Sequence, residues 1–186
     1  MSNTKKFCHI LRKRSAEHTN AMERISDLPG IMASILRQEL DSMVRVIYLL
    51  SIQDVGTREK LIAQTLDGKK WEIVRNGKKY NVTDREMVDT SSQIHGWALS
   101  IYKFGCAFIH LSNFHDYSEQ NPFDGLSEID RRDVLMHLRN YHSGPAADNP
   151  SFAELADYFP DVFTKIKDNL ECYLHDLESN TTGECW

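Results

Sequence analysis

C-x-x-C motifs, phosphate-cradling loops and nucleophile elbows are all missing from this 186-residue chain. Its four cysteines, Cys8, Cys106, Cys172 and Cys185, never fall as C-x-x-C, so neither a zinc knuckle nor a thioredoxin-like motif is written. No Walker or dinucleotide glycine loop and no G-x-S-x-G elbow occurs. No Glu-x-x-His pair is present to build a di-iron bundle site. No motif therefore implies a cofactor or a metal. The basic first residues are not followed by an apolar run, so a secretory leader is not expected. With no C-x-x-C pair among the cysteines, this sets the expectation of a reducing cytoplasm. The longest apolar stretch, Gly96–Phe114, carries Ser100, Lys103, His110, Ser112 and Asn113. We read it as the central helix of a soluble bundle and expect no membrane partner.

Hydrophobic residues make up 41% and charged residues 26% of the chain, enough apolar content for a real core. The net charge of −5 hides an asymmetry. Residues 1–112 hold 17 basic and 12 acidic side chains, and residues 113–186 hold 5 and 15. Two basic clusters stand out: Lys5, Lys6, Arg12, Lys13 and Arg14, then Lys69, Lys70, Arg75, Lys78 and Lys79. They could meet phosphates, but the simpler expectation is that they face water or the acidic half.

The pattern predicts an all-α fold: a bundle of four or five main helices with an inserted β-hairpin at about 71–82. Residues 1–27 read as a basic N-terminal helix or arm, 28–178 as the bundle, and 179–186 as a flexible tail. Ile31, Ile35, Leu36, Leu40, Met43, Val44 and Ile47 recur at helical spacing over roughly 31–52. Thr57 reads as an N-cap for a helix through Leu66, which Gly68 ends. Asn76-Gly77 is a type I′ turn pair. Pairing outward sets Arg75 opposite Lys78, Val74 opposite Lys79 and Ile73 opposite Tyr80, and Trp71, Ile73, Tyr80 and Val82 then share an apolar face. Thr83-Asp84-Arg85-Glu86 is a capping box, expected to open one long helix to about Phe114. Ser127 starts another helix, which stops at Ser143-Gly144-Pro145. Ser151 caps a short one, and Pro160 begins the last.

Three polar groupings could carry chemistry. In the first, Arg132, Asp133 and His137 lie on one helix. A histidine there could move a proton near neutral pH, while an arginine held a phosphate. Five residues of helix set Arg132 and His137 about 140° apart, so they converge only through the long arginine or across a dimer. The structural alternative is a solvated arginine and a histidine at the edge of the core. The second holds Arg139, Asn140 and His142, as an auxiliary phosphate clamp or a helix cap. The third holds His110, Asn113 and His115. These could fix a loop, line the cleft beside Arg132, or join His142 around a metal.

Arg132, a polar residue directly after it, and His137 resemble the signature of the HEPN superfamily: Arg, four to six residues, then His, in a small helical bundle. The resemblance extends loosely over residues 31–178. It implies a metal-independent endoribonuclease or an inactive relative, of the kind found in defence and toxin–antitoxin systems. It also implies RNA as substrate and a homodimer whose two motifs share one site. Arg132 would hold the phosphate, His137 transfer the proton and Asp133 orient it. The hairpin is not part of that family's core pattern. The alternatives are a non-catalytic module that binds a protein partner through the hairpin or the acidic half, and a metal- or ligand-binding bundle.

Overall fold

The computed structural model describes residues 2–181. Its elements, in order, are α1 (Asn3–Met22), α2 (Pro29–Ser51), α3 (Val55–Leu66), β1 (Glu72–Arg75), β2 (Lys78–Asn81), α4 (Asp84–Ser92), α5 (Trp97–Ile109), α6 (Glu128–His142), α7 (Phe152–Ala156) and α8 (Phe159–Ser179). Short 3-10 turns at Asn113–His115 and Pro122–Gly125 lie between α5 and α6. The architecture is the expected helical bundle with a two-stranded insert. Most of the expected tail lies outside the described residues.

The centre of the bundle is α2, not the 96–114 stretch. From Met43 to Leu50 every residue of α2 except Arg45 is buried, and α2 packs on α8, α5, α4, α1 and α7. A helix apolar all round needs partners all round. Ile31 is the one member of its predicted stripe that faces solvent, although its neighbours Gly30 and Met32 are buried. The expected helix from 83 to 114 is two helices. The chain turns over Gln93–Gly96, where Ile94 and His95 both donate to the Ser91 carbonyl. That break lets α4 and α5 each lie on α2. At Gly105 the approach is close: a Cβ there would stand 2.6 Å from Arg37 Cβ, so any side chain would push α5 off α2.

Residues 3–22 belong to the packed bundle. Ser2 caps α1, and Phe7, Cys8 and Leu11 are buried against α3 and α8. Arg12 bridges Glu171 and Glu178 of α8 at 2.8 and 3.0 Å. Inside, the fully buried Glu39 accepts from Ser15 at 2.5 Å and meets His18 Nδ1 at 2.6 Å. A buried carboxylate needs such partners to offset its desolvation.

The hairpin has the predicted register, with Ile73 opposite Tyr80 and Arg75 opposite Lys78. Asn76 and Gly77 both have positive φ, as a type I′ turn requires. Its apolar face is divided. Trp71 stacks on Tyr48 and donates its indole N–H to Thr65 Oγ1 at 2.7 Å, and Ile73 is also buried, while Tyr80 stays exposed. Two caps differ from expectation. Asp54, not Thr57, caps α3; its carboxylate accepts from the Thr57 N–H and hydroxyl. The Thr83 box is half formed, since the Glu86 carboxylate turns to Arg75 and Tyr48. That pairing, with Lys79–Glu72 and Lys69–Asp67, neutralises much of the second basic cluster.

Candidate functional site

Helix α6 carries the Arg–His motif. Ser127 starts it by accepting from the Asp130 N–H at 3.1 Å, and Lys103 of α5 holds the Asp130 carboxylate at 2.6 Å. The Lys103 contact, then the Ser127 hydroxyl, keep that carboxyl below its ordinary range. Ser143 ends the helix in the left-handed conformation. Only Leu135 and Leu138 of α6 are buried, so the helix rests on α5 along a thin stripe.

Its outer face is unusual. Arg132 lies at one edge and His137 at the other, and between them Ile129 is 63% and Met136 45% exposed. Arg131 and Arg132 make no ion pair among the described residues. They line a shallow depression with Glu128, Met136 and Asp148. His137 borders a different hollow, a crevice between α5, α6 and α8. One chain therefore does not bring Arg132 and His137 together. This is the geometry expected of residues five apart on a helix.

Asp133 does act on His137, one helical turn away. Burial pushes the imidazole below its ordinary pKa, and the nearby Asp133 charge opposes that shift. The His137 ring stacks on Tyr141 with centroids 6.3 Å apart, and Lys165 of α8 stands 3.9 Å from the Tyr141 ring centre. His142 borders the same crevice and is also pushed down by burial, with Asp161 pulling it up and Lys165 pressing it lower. His95 joins this cluster. It hydrogen-bonds Tyr173 at 2.7 Å and packs on Trp97, and its pKa is pushed down by burial and then by Lys165.

The other auxiliary residues do different work. The Arg139 guanidinium donates to the carbonyls of Pro145, Ala146 and Ala147 and pairs with Asp148 at 2.9 Å. It ties down the loop after α6, which removes it from a phosphate clamp. Asn140 is exposed. His110, Asn113 and His115 lie at the far end of α5 and border neither hollow. His110 caps α5 through its backbone, and His115 Nδ1 closes back on Ser112. Among the described residues no three His, Cys, Asp or Glu side chains could hold a metal ion, so the His110, His115 and His142 set is not assembled. Nor is any helix there long and apolar enough to cross a membrane.

Lys165 and His95 were not legible as site residues. Lys165 reads as an ordinary cation on the polar side of α8, and His95 as a polar residue within a long helix. Only the tertiary packing of α5, α6 and α8 groups them. No family model, curated protein or solved structure matches the chain.

Proposed function

We propose that this protein is a HEPN-like, metal-independent endoribonuclease whose site is completed between two copies of the chain. The observation that carries the reading is the outer face of α6. An arginine without an ion pair among the described residues and a half-buried histidine edge an exposed strip containing Ile129 and Met136. A second copy lying on that strip would cover its apolar residues and bring one chain's Arg132 within reach of the other's His137. In the reaction His137 takes the proton of an RNA 2′-hydroxyl. The freed oxygen attacks the adjacent phosphorus, the bond to the 5′-oxygen breaks, and that oxygen takes a proton from solvent water. The products are a 2′,3′-cyclic phosphate and a 5′-hydroxyl. Arg132 steadies the charge that grows on the phosphoryl oxygens, and Asp133 favours the protonated imidazole during transfer.

The test is cleavage of RNA by wild type, Arg132→Ala and His137→Ala with chelator present. The expected result is chelator-resistant cleavage, reduced about 10²–10⁴-fold by His137→Ala with helicity unchanged. Undiminished cleavage by that variant would overturn the assignment. If wild type does not cleave, the α6 strip, with the exposed Val74 and Tyr80 of the hairpin, is better read as the surface of a non-catalytic interaction module.

A further inference from the structure

The crevice between α5, α6 and α8 has a chemistry of its own. Leu36, Ile101, Phe104, Leu138 and Phe159 make its floor and walls. Its volume is about 70 Å³. That is about half of an engineered cavity of ~150 Å³ that takes benzene, so it suits an alkyl branch of about three or four carbons. Water gains little there, since the walls offer it almost no hydrogen-bond partners.

The rim is polar and carries a cation. Lys165 Nζ lies 3.9 Å from the Tyr141 ring centre and 6.0 Å from that of Trp97. No carboxylate lies within ion-pair distance of it among the described residues. His142 stands beside it on the same rim. Asp161 and Asp168 occupy the adjoining basin, but both are exposed, so solvent and salt screen them. An apolar hole below a cation without a carboxylate partner matches an apolar tail below an anionic head.

We propose that this crevice binds a short branched aliphatic carboxylate, with its alkyl end against Phe104 and Phe159 and its carboxylate on Lys165. The proposal stands apart from the nuclease reading, since it needs neither Arg132 nor a second copy of the chain.

The probes are isovalerate and its neutral analogue isoamyl alcohol, titrated into ¹⁵N-labelled protein and followed by NMR. Isovalerate should shift the Trp97 indole signal saturably. Lys165→Met should weaken isovalerate about tenfold, the loss of one charge-assisted contact, and leave the alcohol unchanged. Ser100→Leu, which adds bulk at the crevice wall, should remove binding of both, and the dispersion of its spectrum reports that it is folded. No saturable shift with isovalerate in wild type would overturn the proposal. Equal affinity in Lys165→Met, or shifts that map away from the crevice, would overturn it as well.

Discussion

The two sides of α2 are built differently. Toward α1 and α8 the interface is dense, and its polar groups pair internally: Arg12 with Glu171 and Glu178, and Glu39 with Ser15 and His18. Toward α6 the packing thins to Leu135 and Leu138, a crevice remains open, and apolar side chains face solvent. The first arrangement fixes one geometry. The second leaves groups a binding or catalytic surface can use: arginines without an ion pair among the described residues, half-buried imidazoles and uncovered apolar area. On this account stability resides on one side of α2 and function on the other.

The sharpest contrast should come from core truncation. Leu40→Ala, at a fully buried site in α2, should cost about 2–5 kcal/mol, because a well-packed site collapses poorly onto the cavity left behind. Leu135→Ala on α6 should fall at the lower end of that range, at about 2 kcal/mol, since its surroundings can relax. Urea midpoints compare the two, and equal losses would erase the distinction. Glu39→Ala, which strips His18 and Ser15 of their shared acceptor, should cost about 3 kcal/mol, within the range for Leu40→Ala and above that for Leu135→Ala.

Acid should act first on the α6 side. Burial leads the downward shift of His95, His137 and His142, so the fold favours their neutral forms. The unfolded chain then takes up protons more readily than the folded one. Stability should therefore be full above the ordinary histidine pKa of about 6.5 and fall as pH drops through the lower folded values. Asp54, Asp130 and Glu154 are also shifted down, but their share is lost only around and below the ordinary carboxylate range of about 4. Denaturation at pH 7.5 and 5.5 should show the first loss, and His142→Phe should reduce it. The smallest effect on folding should come from the exposed strip. Ile129→Ser and Met136→Ser should alter monomer stability by no more than about 0.5 kcal/mol. Sedimentation should nevertheless show weakened self-association in both.

Where local chemistry dictates structure, the sequence could be read closely. Asn76-Gly77 sets the hairpin register, because positive φ at both turn residues admits only one pairing. Ser151 and Pro160 mark helix starts for equally local reasons. The turn at Gln93–Gly96 escaped because no proline marks it and the apolar periodicity runs through it. The split of the hairpin face depended on where Tyr48 lies, far back in α2. In the candidate site, the angular separation of Arg132 and His137 follows from helix geometry alone. The loop-tying role of Arg139 and the grouping of Lys165 with three histidines are tertiary facts, and no spacing in the chain encodes them.

The central claim is that Arg132 of one chain works with His137 of another. It is tested most directly by mixing purified Arg132→Ala and His137→Ala, each inactive alone, under conditions that exchange subunits. Random pairing makes about half of the dimers mixed, and each mixed dimer keeps one of the two Arg132–His137 pairs that the shared site holds. The mixture should therefore regain about a quarter of wild-type cleavage. A mixture as inactive as its components, with mixed dimers demonstrated by mass, would contradict the account.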